Sequence, residues 1–491
     1  MKFIKNTIII AAAALMIGAV SSCSDYLDKT PEGKVPDTQV DYANLDNMYQ
    51  PVSGMYARIR KSAMHWIIWE MTVSRDQDVF CGTWDQSDCY KLMEYKYNDS
   101  YWGIDEIWKQ YYNIIKNANS AIEALDNYGL NCKNESDKKT NEAYIGEVKF
   151  MRAYAYFRLI QAFGTCTILR DNNQTDLTRS TANAVYKYAL EDLQYGIDHM
   201  PRIRPNQSEH KGAVTAFSAA TLAAKIYLNQ GNYQKVEELT DDIIAHGNFH
   251  LYSDYYQLWK IPGKLCDESI FECQCTDFGN GSGDMIDADQ WFVLQGPSNS
   301  GSNISGWGAI GILKSFRDWA YGRGETVRAT TSFLMADSTT PSGDYIKPQD
   351  NPAKTDCWNG KVYTPSNQLT PGRTKYGSNN NIRVLRYADV LLMNAEAKVK
   401  LGKNGDAPFN EVRRRAHMPE LTNVTFDQVI DERRMELCCE WGERYNDLVR
   451  TGKAATELKG WSKEKALMPL PFNQTSTIPD LLKVTFVSSG M

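Results

Sequence analysis

Alanine-rich helical pattern joined by glycine turns recurs at one spacing, and this restricts the fold of the chain more than any other feature. Ala224, Gly231 and Val236 are separated by seven and five residues, and Ala395, Gly402 and Ala407 repeat both intervals. Each set links a small-residue helix through a glycine turn to a second helix, and small residues at such positions let paired helices approach closely. Over residues 105–125, Ile107, Tyr111, Ile114, Ile115, Ala118, Ile122 and Leu125 fall on one helical face. Residues 144–162 and 214–228 behave alike, both rich in Ala and Tyr.

The two units resemble tetratricopeptide helix pairs. Tyr227 and Tyr233 add to the match in the first unit, whereas Val236 stands where such repeats carry alanine. A mainly α body follows, with the pairs expected to build a right-handed superhelical scaffold and residues 144–164 a more degenerate unit. Ala224 and Ala395 are expected where two helices touch. Over residues 251–381 the texture changes to Gly, Ser, Asn, Asp and Pro with scattered Trp. That is long for a loop in a compact domain, and such segments usually carry function. Helical pattern is expected to return from Ile382 to about Thr451, followed by a proline-bounded tail, Met468-Pro469-Leu470-Pro471.

The N-terminus fixes where the chain lives. Lys2 and Lys5 precede an uncharged run over residues 8–20, long enough for a secretory leader and too short to span a bilayer as a mature helix. Val20-Ser21-Ser22-Cys23 supplies an apolar residue three before a cysteine and two small residues between, the pattern of a bacterial lipoprotein. Cys23 is therefore expected to become the acylated N-terminus. Each buried methylene contributes roughly 0.8 kcal/mol, so two or three acyl chains hold a soluble body on a membrane. Residues 1–22 are read as the leader, 23–40 as a polar tether with Pro31, Gly33 and Pro36, 41–250 as an N-terminal helical region, 251–381 as the ligand face and 382–491 as a C-terminal helical region.

Composition narrows the partners. The formal net charge is −6, and the leader takes away two lysines and no acids, which argues against nucleic acid or an anionic lipid surface. Twelve Trp and 28 Tyr present flat apolar faces with polar tips, suited to saccharide stacking and to helix packing alike. Ten cysteines other than Cys23 lie in an exported chain, where disulfides are permitted but their pairing cannot be read. Cys273, Cys275 and Cys266 lack the second Cys pair or His pair of a zinc site.

Catalytic patterns are missing. Gly306-Trp307-Gly308-Ala309-Ile310-Gly311 has the glycine spacing of a dinucleotide loop, yet no strand pattern precedes it. Six dispersed His offer no partner for a nucleophile. Asp76/Asp78 and Asp284/Asp287/Asp289 are the carboxylate groupings that glycosidase chemistry or calcium binding would need, and the sequence leaves the calcium question open. The chain is read as a binder with no cofactor, not an enzyme.

Several segments carry a family resemblance. Cys23-Ser24-Asp25-Tyr26-Leu27-Asp28 with Pro31, Asn381-Ile382-Arg383-Val384-Leu385-Arg386-Tyr387-Ala388-Asp389-Val390-Leu391-Leu392 with Ala395-Glu396-Ala397, and Asn410-Glu411-Val412-Arg413-Arg414-Arg415-Ala416 resemble the signatures of SusD/RagB-type outer-membrane lipoproteins. So do Glu432-Arg433-Arg434, Glu436-Leu437, Glu440, Gly442, Arg444, Asp447-Leu448-Val449-Arg450 and Pro469-Leu470-Pro471; the usual Asn-Pro-Gly ending is absent after Ile478. The resemblance implies a surface-exposed, lipid-anchored glycan-binding subunit of the outer membrane, seated over a TonB-dependent β-barrel transporter of the SusC type. Oligopeptide capture on the same architecture is the first alternative, and an exported scaffold or glycan-active enzyme the second. Arg386, Asp389, Glu396, Arg433, Glu436 and Arg444 are read as structural, pairing across or between helices.

Ligand residues vary within the family, so the site is sought by chemistry. Aromatic rings stack on the CH faces of sugars while short polar side chains bond the hydroxyls, which favours exposed Trp on loops. Asp78 and Trp84, Trp291 and Trp307, and more weakly Trp358 fit that description, with at least one of Trp84, Trp291 and Trp307 expected to be a platform. Trp102, Trp108, Trp259, Trp441 and Trp461 lie in or beside helical pattern and are assigned to the core.

Overall fold

A computed structural model describes residues 40–81, 89–275, 289–297, 304, 306–348, 356–369 and 379–485. The chain divides into two compact units, one ending at Met48 and the other spanning Tyr49–Met491. Within the first, a 3-10 turn at Leu45–Asn47 is capped by Asn44, whose side chain accepts from the Asp46 N–H. Cys23 and Trp84 lie outside the described residues.

The second unit is mainly helical. Its principal elements are α1 (Gln50–Ser62), α2 (Trp66–Val73), β1 (Val79–Cys81), α3 (Trp102–Gly129), α4 (Glu135–Phe163), α5 (Ala182–His199), α6 (Ala216–Asn229), α7 (Tyr233–His246), β2 (Ser269–Cys273), β3 (Ile310–Ile312), β4 (Ile382–Arg386), α8 (Tyr387–Lys400), α9 (Asp406–Arg415), α10 (Phe426–Glu436) and α11 (Glu443–Arg450). The strands form two-stranded ladders, with β1 antiparallel to β3 and β2 antiparallel to β4.

Local sequence accounts for the long helices. Asn134 caps α4 by accepting from the Asp137 N–H at 2.8 Å, offsetting one of the unpaired donors at the helix start. Every apolar residue of the expected stripe on α3 is buried except Ile122, which is half-buried. Helices α3 to α7 pack sequentially, each on its predecessor, and α7 then packs on α8 although more than a hundred residues separate them. The pairs α6–α7 and α8–α9 are thus stacked directly.

Both turns place glycine where the spacing demanded it. Gly231 and Gly402 have φ of 70° and 71°, a left-handed conformation that costs other residues energy. Ala224 and Ala395 are fully buried as expected. The second unit departs from the first after its glycine. One residue, Asn232, separates Gly231 from the start of α7 at Tyr233, whereas three separate Gly402 from the start of α9 at Asp406, so Ala407 falls on the exposed side and Phe409 takes the inward position. The expectation that the helical pattern starts at Ile382 is likewise corrected: Ile382–Arg386 is the strand β4, paired in register Ser269↔Arg386 and Cys273↔Ile382.

Charged residues of the family signature are buried between elements. Arg386 bonds Glu268 at 2.6 Å, Glu436 at 3.0 Å and Glu440 at 2.7 Å. Arg433 bonds Asp389 and Asp447 at 2.8 Å each, and Lys225 on α6 reaches the same Asp389 at 2.5 Å. Arg450 holds Glu396, and Arg444 meets Glu457 at 3.0 Å. These side chains tie β4, α8, α10 and α11 together. Desolvation penalises each ion, and Arg386, Arg433 and Glu436 offset it by each meeting several partners.

Among the described residues the nine cysteines are free thiols, and no helix is long and apolar enough to cross a membrane.

Candidate functional site

Three indoles come together at the surface of the second unit. Trp66 opens α2, Trp102 opens α3, and Trp307 lies on the segment leading into β3. Trp66 meets Trp102 edge-on with ring centroids 5.6 Å apart and Trp307 edge-on at 5.9 Å. Trp102 is 41% and Trp307 37% exposed, while Trp66 between them is half-buried. His65 extends the group, its ring stacked 5.8 Å from Trp66.

Each ring is placed by identifiable backbone. His65 caps α2, its Nδ1 accepting from the Ile67 N–H, and the next three residues of the helix, Ile67, Ile68 and Trp69, are buried. Trp66 is therefore held at the outer edge of a helix whose other faces are anchored. Trp307 is fixed by three successive hydrogen bonds: Gly306 N–H donates to Pro297 O, Trp307 N–H to Val293 O and Gly308 N–H to Gly296 O, each at 2.7 Å. Gly306 makes that approach possible, since a Cβ there would lie 2.6 Å from the Gly296 carbonyl carbon. The glycines that mimic a dinucleotide loop serve close backbone packing, and β3 behind them pairs with β1 in register Val79↔Ile312.

Polar groups flank the rings. Glu106, one turn beyond Trp102, accepts from Gln110 at 2.5 Å and pairs with Lys109 at 3.0 Å. Burial alone would raise its carboxyl, but those bonds outweigh it, with a smaller contribution from nearby His65, and the acid is held below its ordinary range. An ionised carboxylate beside exposed indoles can accept bonds from hydroxyl groups lying over the rings.

The structure sorts the sequence candidates. Trp307 joins the exposed group. Trp291 is buried, its ring 6.1 Å from Trp69 and stacked 6.0 Å from Trp441, so it offers no face to a ligand. Its role is support, because the helix that carries it, Asp289–Gln295, provides the Val293 carbonyl that holds Trp307. Trp358 is also buried, on the strand Cys357–Asn359, and Asn359 there donates to Gln295 at 2.8 Å, bracing the same helix. Asp78 is buried and gripped by Arg434, with Nε to Oδ2 at 2.9 Å, while its carbonyl accepts from Leu313 at the end of β3. As ligand contacts these three are corrected: packing against distant segments has covered them. Among the core assignments, Trp108, Trp259 and Trp441 are buried and Trp461 is half-buried, but Trp102 is exposed, because it stands at the first position of α3 before the helix meets its neighbours. Trp66 went unremarked in the sequence. Its signal was the His65 cap, which puts the following residue on the first turn of a helix.

Comparison with known proteins places this geometry. A model of the SusD family matches residues 312–477, and a second, described as starch-binding and associating with the outer membrane, matches residues 25–228. The chain belongs to the SusD family. A SusD-like protein of Bacteroides ovatus is 24% identical over 90% of this chain and 82% of its own length, and one of Formosa agariphila is 23% identical over 97% and 98%. Among solved structures, a laminarin-binding SusD-like protein superposes with a TM-score of 0.75 at 23% identity, covering 90% of this chain and 98% of its own. Surface glycan-binding protein A from Bacteroides thetaiotaomicron, in complex with laminarihexaose, gives 0.72 at 22%, covering 88% and 97%. At these identities the likeness establishes the SusD fold alone.

Proposed function

We propose that this SusD-family protein captures oligosaccharides on the Trp66–Trp102–Trp307 surface and passes them to a TonB-dependent β-barrel transporter at the outer membrane. The observation that carries the reading is a trio of indoles in mutual contact, two of them substantially exposed, on a rigidly held backbone. Exposed clustered aromatic area is costly to leave in water and is retained where a ligand covers it. The laminarin-binding SusD-like protein and the surface glycan-binding protein in complex with laminarihexaose support the same class of cargo. The protein's part is recognition without bond breaking: the rings stack on sugar faces while Glu106, Gln110 and His65 supply polar contacts beside them.

Anchoring is assigned to acylated Cys23, supported by Val20-Ser21-Ser22-Cys23 and by the outer-membrane association in the description of the model matching residues 25–228. The tetratricopeptide-like pairs are assigned to the transporter side. Replacing Cys23 by Ala should release the protein from membranes of cells lacking the transporter; retention there would refute lipid anchoring.

Affinity electrophoresis in gels containing laminarin, xyloglucan or starch tests the binding surface. Trp307→Ala, Trp102→Ala, Trp66→Ala and Trp84→Ala are compared with the parent chain. Retention by one glycan, lost in the Trp307 or Trp102 variant with the melting temperature unchanged, supports the assignment. Normal retention in all variants refutes it, and binding of oligopeptides with no glycan retained would transfer the cargo to peptides.

A further inference from the structure

A second cleft, of about 370 Å3 and open to solvent, lies in the helical scaffold where α4, the end of α5 and the segment before α6 meet. Lys139, Tyr144, Glu147, His199, Glu209 and His210 are among its lining residues. None of them belongs to the indole surface.

Glu147 sits at its base, 6% exposed. Its Oε2 accepts from the Tyr56 hydroxyl at 2.5 Å, and that hydroxyl in turn accepts from the Val214 N–H at 2.8 Å. Tyr56 thus presents its one proton to the carboxyl and has none left for a ligand. Among the described residues no lysine, arginine or histidine forms an ion pair with Glu147, whereas the buried acids Glu268, Glu432 and Glu436 each meet arginine. Burial pushes its carboxyl up to about 8, the Tyr56 bond pulling the other way.

Aromatic groups stand over this acid. Tyr144, half-buried one turn before it on α4, tilts against Tyr49 with centroids 4.9 Å apart, and His210 stacks on Tyr49 at 3.5 Å. Burial raises the Tyr49 and Tyr144 phenols, and Glu209, together with Glu147 once it is ionised, raises both further. His199 is engaged with Glu142 at 3.3 Å, and Lys139 is exposed at the mouth. A buried carboxyl lacking a counter-ion, walled by electron-rich rings, is the arrangement that recognises an organic cation through Coulomb and cation–π attraction together.

We propose that this cleft binds a primary ammonium group, with Glu147 as counter-ion and Tyr144 as aromatic wall, the amine being carried on an amino sugar or at a peptide N-terminus. Binding converts the neutral carboxyl to carboxylate, and its proton leaves to solvent.

Calorimetric titration of the purified protein tests this with glucosamine against N-acetylglucosamine and triglycine amide against its N-acetyl form. At pH 7, in buffers of low and high ionisation heat, the free amine is expected to bind with release of nearly one proton, and acetylation to weaken binding at least about tenfold. Glu147→Gln keeps an acceptor for Tyr56 and is expected to lose the amine without lowering the melting temperature. Tyr144→Leu, at the half-buried wall, should weaken it roughly threefold or more. Binding of glucosamine alone assigns the site to amino sugars, of the peptide amine alone to peptides, and of both to the ammonium itself. Failure of both amines to bind, equal binding of the acetylated forms, or unchanged binding in both variants overturns the proposal.

Discussion

Arg386 at the end of β4 clasps Glu440 along two edges, Nε to Oε2 at 3.0 Å and Nη2 to Oε1 at 2.7 Å, while its Nη1 reaches Glu268 and Glu436. One guanidinium thereby closes three carboxylates from two separate parts of the chain in a site it shares with Arg415. Removing it leaves acids buried without their main partner. Arg386→Met is expected to cost about 3–5 kcal/mol of stability, and Arg386→Lys to recover little because an ammonium cannot repeat the planar fork. Denaturant midpoints of the two variants check this; a loss below about 1 kcal/mol in both would contradict the account.

The same network sets an acid limit. Burial alone would raise Glu436, but Arg415, Arg386, Arg328 and Lys361 outweigh it and hold the carboxyl at about 2, against an ordinary 4.5. A lowered folded value means stability fully present above pH 4.5 and lost as pH falls through 2. Asp389, buried between Lys225 and Arg433, is shifted in the same direction. Glu147 has the opposite sign: its folded value near 8 means that its contribution is complete below pH 4.5 and lost as pH rises through 8. Midpoints measured across this range should fall steeply on the acid side, and Glu147→Gln should flatten the slope between pH 4.5 and 8 specifically.

Trp291 and Trp307 should separate support from contact. Trp291→Ala removes a buried ring between Trp69 and Trp441 and is expected to cost about 3–5 kcal/mol, with glycan retention falling as a consequence. Trp307→Ala should abolish retention while moving stability by no more than about 1 kcal/mol. Melting curves run beside affinity gels distinguish the two, and equal destabilisation by both would contradict the placement of Trp307.

Gly306→Ala tests how Trp307 is aimed. The added methyl would sit 2.6 Å from Gly296 carbonyl carbon, backbone that cannot turn aside as a side chain could. Separation of the two segments should break the bonds to Pro297, Val293 and Gly296 and displace the indole. Glycan retention is expected to drop at least about tenfold with a smaller stability loss, of about 1–3 kcal/mol. Unaltered binding would show that the ring is not held through this contact.

Much of this architecture is decided locally. The stripe of α3, the caps of its successors and the left-handed turns at Gly231 and Gly402 follow from periodicity and side-chain chemistry within a few residues. Hence the mainly α body, the buried Ala224 and Ala395, and the structural use of the signature charges were legible in sequence. Ala407 was misplaced because a spacing counted from glycine does not register two extra turn residues. β4 was missed because five residues of apolar pattern fit strand or helix equally until a partner is supplied, here β2 more than a hundred residues earlier.

Exposure of the tryptophans was beyond the sequence for the same reason. Trp69 and Trp66 lie one helical turn apart, yet Trp69 is covered because its Nε1 reaches the Glu440 carbonyl, 371 positions away, while Trp66 faces outward. Trp291 and Trp307 share a loop-rich segment, and only the ring that met Trp441 was buried. Short-range forces determine which residues become helix and where it stops, so the sequence by itself settles the helical scaffold. Whether a flat apolar ring ends in the core or in water is settled by the summed contacts of segments that meet only after folding. The tertiary structure alone therefore decided which indoles form the surface at Trp66, Trp102 and Trp307, and left Glu147 beneath a cleft with no counter-ion among the described residues.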